Sequence, residues 1–363
     1  MISNQLLQKT IDEIKAIAGV DLAVLDMDGN AAVRTFREDI IDYTAAVNFA
    51  MSMDDQRSVP GYELFKIKDE SEDAYILVIR GAGGNEKLIG RMAKYQIETL
   101  LEAYKERFDK ENFYKSLLMD NMLLIDIFSR SRKLHIELEE FRSVYVVELK
   151  HKNQDDAIGT IRSTLADHPA DFALALDKKN IIIIKSVSGP EAYDELEATA
   201  EKMQLALSRD IGDDALIAYG SIVPELQEVS KSYKEAKMAV DVGKIFFSEK
   251  NIISYGKLGI GRLIYQLPMP LCKLFIREIL ENISPDDFDG ETLATINKFF
   301  ENSLNVSETS RQLYIHRNTL VYRLDKIQKT TGLDLRIFED AITFKIAMMV
   351  FKYMQYVEGL EYK

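Results

Sequence analysis

The chain has 363 residues, 47% of them hydrophobic and 29% charged, and carries a formal net charge of −13. That length is too great for one ordinary core and implies two or three domains of soluble, globular make-up. No apolar run reaches the roughly 18 residues that span a bilayer, and an acidic surface repels nucleic acid except where a module is locally basic, because counterion release depends on the charges at the contact.

The opening, MISNQLLQKTIDEIKAIAGV, mixes acids with apolar residues, so it does not read as a signal peptide and the expected location is the cytoplasm. Ile2, Leu6, Leu7, Ile11, Ile14 and Ile17 recur at helical spacing and predict an amphipathic helix over 2–18. VDLAVLDMDGNAAVRTF then changes period, giving a strand, the hairpin signal Asp28-Gly29 and a second short strand. IDYTAAVNFAMSM reads as helix. GYELFKIKDESEDAYILVIRG reads as two more strands about a charged turn, after which Gly81, Gly83 and Gly84 break the chain. Helix, two strands, helix, two strands is the order of a small antiparallel α+β sensor unit, PAS-like in plan, assigned to residues 1–90.

A connecting or dimerisation helix is expected over 91–133. Its interrupted apolar stripe is Ile97, Leu100, Leu101, Tyr104, Phe108, Leu117, Leu118, Leu124 and Ile125, with a break expected at Asp109. A helix of this length exceeds the usual span of about 10–14 residues. It fits either a helix packed on its own domain or a rod that joins two copies of the chain.

Residues 134–258 have the order βαββαβαβ, with the strands SVYVVELK, DFALALDKKNIIIIKSV (a hairpin across Lys178-Lys179-Asn180), DALIAYG and NIISY. This predicts a central antiparallel sheet with helices on one face. GKLGIGRLIYQLPMP, rich in Gly and Pro, reads as a linker. The all-α remainder, 262–363, begins with LCKLFIREIL, where Cys272 reads as a small buried hydrophobe. One cysteine and four histidines without ligand spacing give no reason to expect a disulfide, a metal or another cofactor. The fold class expected is therefore α+β and multidomain, ending in helices.

Within those helices, SLNVSETSRQLYIHRNTLVYRLDKIQKTTGLDL reads as two helices across a tight turn. Asn305 is a plausible N-cap with Glu308 as capping-box partner, Val306 and Leu313 face inward, and Ser310 leaves room for a second helix. Tyr314-Ile315-His316 makes the turn, the second helix begins near Arg317, and Gly332 ends it. At about 100° per residue, Leu320, Leu324 and Ile327 share one face. The opposite face carries Asn318, Tyr322, Lys326 and Lys329, with Thr319 nearby and Arg317 and Arg323 flanking. Arg and Asn can read base edges with paired hydrogen bonds, while Thr and Tyr hydroxyls and Lys hold phosphates. Cations outnumber acids by three over 305–336. The competing reading is an ordinary amphipathic helix with a solvated basic face.

This segment, followed by FEDAITFKIAMMV, closely resembles the C-terminal helix-turn-helix of the CdaR/PucR family of transcriptional regulators. That family's pattern is N-V-S-x-T-A-x-x-L-x-I-H-R-N-T-L-x-Y-R-L-x-K-I. It is matched at Asn305 to Ser307, Thr309, Leu313, Ile315 to Leu320, Tyr322 to Leu324, Lys326 and Ile327, with Ser310 in place of the usual Ala. Upstream, Ser232, Tyr233, Glu235 and Ala236, then Tyr255, Leu258 and Gly259, resemble the GGDEF-like middle domain of the same family. The hairpin LDKKNI lacks the Gly-Gly and Glu-Phe of a nucleotide cyclase, and the first strand offers only Glu148, so no catalytic residues are assigned. The alternative is a nucleotide-signalling enzyme or nucleotide-binding protein acting through this domain.

More loosely, the N-terminal segment resembles the sugar-diacid recognition domain, although RTFREDIIDYTAAV lacks the Arg-Ile-Gly stretch and following His usual there. The resemblance implies a small carboxylate effector, a sugar diacid or hydroxy acid, for which arginines are the natural grip. Arg34, Arg37, Arg57 and Arg80 are the candidates, Arg80 standing beside the GAGG cluster. The protein implied is an activator of a catabolic operon that binds double-stranded DNA as a homodimer or higher homo-oligomer, without a membrane.

Overall fold

The computed structural model describes residues 4–36, 43–69, 72–81, 84–150, 154–165, 168, 170–280 and 288–361. The chain divides into two compact units, Met1–Ser116 with Arg132–His135, and Leu117–Ser131 with Ile136–Lys363.

In the first unit, α1 (Asn4–Ala18), β1 (Asp21–Asp26), β2 (Ala31–Arg34), α2 (Tyr43–Ala50), β3 (Gln56–Val59), β4 (Tyr62–Asp69), β5 (Glu72–Arg80) and α3 (Glu86–Leu118) follow in order. The sheet runs β2-β1-β5-β4-β3 and every pairing is antiparallel. Leu22 to Leu25 are all buried, because the sheet has a core on each face. On one side Leu22, Val24, Phe65 and Leu77 meet Leu7 and Ile11 of α1 and Ile97 and Leu101 of α3. On the other, Ala23, Leu25, Leu64 and Ile76 meet Ala46 and Phe49 of α2. Between β1 and β2 the Asp26 carboxylate accepts from the N–H of Asp28 (3.0 Å) and of Asn30 (2.7 Å), which closes the expected hairpin.

Three expectations for this region fail. Strand β3 was not foreseen, since a short polar edge strand such as QRSV buries neither face and shows no apolar alternation. Ile17 is exposed and lies off the buried stripe of α1, while Ile2 lies outside the described residues. Helix α3 does not break at Asp109. The pairs Lys110–Glu106 (2.8 Å) and Lys115–Glu111 (2.7 Å) support it through that point, and an aspartate inside a helix costs little. The chain turns instead at Asp120, which has φ 59°, before α4 (Leu124–Lys133). Leu124 and Ile125 therefore leave the expected stripe and are exposed, as is Phe108.

The second unit holds β6 (Glu139–Glu148), α5 (Gln154–Leu165), β7 (Phe172–Ala175), β8 (Asn180–Ser186), α6 (Tyr193–Ile211), β9 (Leu216–Tyr219), β10 (Val223–Glu225), α7 (Val229–Phe246) and β11 (Ile252–Ser254). The sheet order is β11-β9-β6-β8-β7, with β10 also paired to β6. It is not wholly antiparallel. The α7 crossover returns β11 parallel to β9. Nor do the helices keep to one face. Tyr145, Val147, Ile181 and Ile183 pack under α5 and α6, whereas α7 covers the face of Val144 and Val146. Ile181 to Ile184 are fully buried, as an unbroken apolar run demands of a strand covered on both sides.

The Ser-Tyr-x-Glu-Ala segment anchors α7. Ser232 Oγ accepts from Val144 N–H (3.0 Å) and donates to the Ser221 carbonyl (2.7 Å), and Glu235 accepts from Ser221 N–H (2.8 Å). A Cβ on Gly220 would lie 2.1 Å from the Ser232 carbonyl, so only glycine permits this approach.

The stretch read as a linker is packed. Leu258 and Ile264 are buried, α8 (Gly261–Tyr265) lies on α7, and Tyr265 donates to Asp241 (2.7 Å). Its Gly and Pro residues redirect the chain while its apolar residues fill space. Beyond it come α9 (Met269–Leu280), α10 (Gly290–Glu301), α11 (Val306–Gln312), α12 (Arg317–Thr331) and α13 (Phe338–Glu361). Ile245 of α7, Ile264, the buried Cys272, Val350 and Tyr353 form one cluster, so the middle and C-terminal parts share packing. No helix among the described residues is long and apolar enough to cross a membrane.

Candidate nucleic-acid interface

Helix α10 starts at Asp289, whose carboxylate accepts from Thr292 N–H (2.7 Å); hydrogen bonds from Thr292 hold this carboxyl below the usual aspartate range. Helix α11 starts at Asn305, which accepts from Glu308 N–H (3.1 Å) as an N-cap should. The reciprocal half of the capping box is not made. Glu308 instead binds Arg311 (2.8 Å) and Gln312 (2.9 Å). Ser310 is buried, and Val306, Leu313 and Ile315 pack against the core.

The turn passes through Tyr314, whose φ of 54° belongs to the left-handed region. His316 then caps α12, its Nδ1 accepting from Asn318 N–H at 3.2 Å. At the far end Gly332, φ 75°, donates its N–H to the Gln328 carbonyl (2.8 Å).

Between these caps α12 is two-faced. Leu320, Leu324 and Ile327 are sealed against Leu280, Ile296, Phe299, Leu335 and Phe344. Arg317, Asn318, Thr319, Tyr322, Lys326 and Lys329 are exposed together on the other side. Arg323 is not with them. Its guanidinium turns toward α10, donates to the buried Thr295 hydroxyl (3.1 Å) and pairs with Glu291. Lys326 lies 3.8 Å from Asp289, and Arg336 is held by Asp334 (2.7 Å) and Asp325 (2.8 Å). Asp289 and Glu291 thus enter the neighbourhood from outside the sequence window and reduce its excess of three cations to one.

Tyr314, a turn residue by its place in the sequence, is 96% exposed beside the start of α12. The signal that could have found it is a bulky side chain where Gly or Asn ordinarily serves.

The candidate effector arginines do not converge. Arg34 lies on edge strand β2 and Arg57 on the opposite edge strand β3, so about 19 Å of sheet separates them at the usual strand spacing. Arg57 binds Asp54 (2.7 Å) and lies 5.4 Å from the Phe49 ring centroid. Arg80 is an exposed strand end opposite Asp21. Arg37 lies outside the described residues.

Comparison with known proteins agrees with this anatomy. The family model of the PucR C-terminal helix-turn-helix domain matches residues 292–350, and that of the GGDEF-like domain matches residues 122–242. The purine catabolism regulatory protein of Bacillus subtilis (strain 168) is 26% identical over 176 residues, 47% of this chain and 33% of that one. The carbohydrate diacid regulator of Escherichia coli (strain K12) is 31% identical over 122 residues, 34% and 32% of the two chains. The proline-responsive transcriptional activator PutR of Bacillus subtilis (strain 168) is 24% identical over 250 residues, 62% and 59%. The match spans about a third of the length of the first two relatives.

Proposed function

We propose that this chain, which belongs to the PucR/CdaR family of regulators, binds double-stranded DNA through α12 and controls transcription of a catabolic operon as an activator. The observation that carries the reading is the division of α12 into a sealed leucine face and an exposed face of Arg317, Asn318, Thr319, Tyr322, Lys326 and Lys329. Arg317 and Asn318 stand at the N-terminal end, where a helix laid in the major groove meets base edges. Thr319, Tyr322, Lys326 and Lys329 hold phosphates, joined by the exposed Tyr314 hydroxyl. Arg323 contributes by fixing α12 to α10. The operator is read by paired modules, in a homodimer or larger homo-oligomer, in the cytoplasm. The test is binding to the region upstream of its own operon. Arg317→Ala abolishes specific binding without changing the melting temperature, and retained affinity would contradict the reading.

In this proposal residues 1–90 form a PAS-like sensor for a small carboxylate such as a sugar diacid or hydroxy acid. Support comes from the five-stranded antiparallel sheet with α2 on one face and α1 and α3 on the other, and from the name of the diacid-regulator relative. Domain limits of 1–90, 91–133, 134–258 and 262–363 go with it. The GGDEF-like domain acts as a non-enzymatic module, since Glu148 is paired with Lys244 (2.6 Å) and the Asp177 carboxylate is engaged by the turn N–H groups of Lys179 and Asn180.

A nucleotide-signalling role is the second reading. It rests on a hollow of about 400 Å³ lined by Lys150, Lys179, Lys244, Lys250 and Phe247, where Glu148 pairs with Lys244 and the other three lysines are suited to phosphate. Incubation with GTP or ATP and Mg²⁺ separates the two, a cyclic product favouring the second.

A further inference from the structure

Helix α10 begins beside α12, and both its N-cap and its first turn are acidic. Asp289 Oδ1 caps the helix by accepting from Thr292 N–H (2.7 Å), while Oδ2 lies 3.8 Å from the Lys326 ammonium. Glu291 pairs with Arg323, which is also tied to Thr295 (3.1 Å) and so belongs to the seam between the helices. The other acids next to α12, Asp325 and Asp334, are both taken by Arg336 (2.8 and 2.7 Å). Arg317 and Lys329 make no ion pair with a described residue. Lys326 is therefore the one described cation of the exposed face that has an acid beside it.

The cap does not need that charge. An N-cap needs an acceptor oxygen, and Asn or Ser serves about as well as Asp. The helix dipole favours an acid in the first turn, and Glu291 already stands there. The Asp289–Lys326 pair adds little to the fold, since both side chains are more than half exposed. Hydrogen bonds from Thr292, then the charges of Lys326 and Arg323, outweigh slight burial and hold the Asp289 carboxyl below the usual range, so it is ionised at neutral pH.

What the charge affects is a phosphate. A lysine that neutralises one phosphate releases its counterion, and log K then falls with log[salt] by a further slope of about 0.9. Lys326 gives up one anionic partner to gain another, and the carboxylate left behind repels the phosphate, well inside a screening length of about 10 Å. We propose that Asp289 is a built-in competitor for the phosphate at Lys326, so that α12 grips the DNA backbone weakly and depends on the base contacts of Arg317 and Asn318. Competing non-specific sites vastly outnumber any operator, so a weak backbone grip lets base contacts decide where the helix stays. This inference rests on the DNA-binding reading of α12.

The test measures binding of the full chain to a random-sequence duplex over a range of salt, because the backbone grip is independent of sequence. Asp289→Asn and Asp289→Ser keep the cap and remove the charge. Each tightens binding about two- to fivefold at low salt, the scale of one exposed charge pair. Each also steepens the salt slope by about 0.9. In the Lys326→Met background the same substitutions leave the slope where it is. Melting of the free variants checks that the fold is kept, and the two caps back each other should one of them lower it. Unchanged or weaker binding by both variants, with wild-type binding intact, overturns the inference alone, as does a slope that steepens equally without Lys326. If the wild-type chain binds neither this duplex nor the region upstream of its own operon at low salt, the DNA-binding reading falls and the inference with it.

Discussion

Helix α12 and the N-terminal sheet both carry side chains of a kind that grips an anionic ligand, and they arrange them differently. On α12, six of the seven candidates share one exposed face. On the sheet, the three described arginines are dispersed over β2, β3 and β5, two of them on opposite edges. A helix sets its own neighbours through a fixed angular step, so residues three and four apart meet whatever the rest of the chain does. A sheet's neighbours are set by strand order, which is not written in any one strand.

The strongest way to break that comparison is to remove what fixes the helix. Leu324→Ala opens a cavity where the side chain is fully buried and costs about 2–5 kcal/mol, read as a lowered midpoint in chemical denaturation. A wild-type profile would mean that the sealed face is not what positions α12. Less severe is Asn318→Ala, which weakens operator binding by about 1–3 kcal/mol and relaxes preference at one base position, measured with a set of single-substituted duplexes. A uniform loss across all duplexes would move Asn318 from base reading to phosphate contact.

Arg323 sharpens the contrast within α12 itself. Because it holds Thr295 and Glu291, Arg323→Met lowers stability by about 1 kcal/mol. It also keeps more operator affinity at low temperature than Arg317→Ala does, and the reverse order would place its guanidinium on DNA. The smallest effect belongs to the sheet. Arg80→Ala, at an exposed strand end, changes stability by no more than about 0.5 kcal/mol. Melting of this variant with a sugar diacid shows whether that strand end reads a carboxylate, since a lost response would give Arg80 the role that the scatter of arginines argues against.

Much of the C-terminal module was legible because its signals are local. Asn305, His316 and Gly332 stand where the caps and turn were read, and Leu320, Leu324 and Ile327 are buried as their spacing requires. The Ile181–Ile184 run already carried the sign of a strand covered on both faces, although the antiparallel, one-faced sheet was the expectation. Strand β3 left no trace because a polar edge has no periodic burial to report. The continuity of α3 through Asp109 turned on ion pairs whose individual effect on helix stability is small.

What the sequence determined alone was the set of properties that follow from chain period and short motifs: where α11 and α12 begin, where α12 ends, and which side of α12 is apolar. What only the tertiary structure decided was which distant residues meet. It took Arg323 off the exposed face by bringing Glu291 and Thr295 to it, and it drew two acids into a neighbourhood that the sequence made basic. It also left Tyr233, Lys237 and Asp241 lining one cavity with a turn more than fifty residues away. Periodicity constrains residues within a few turns of one another, whereas contacts across the fold depend on how separate apolar faces find their cover, and that is settled only by the packed whole.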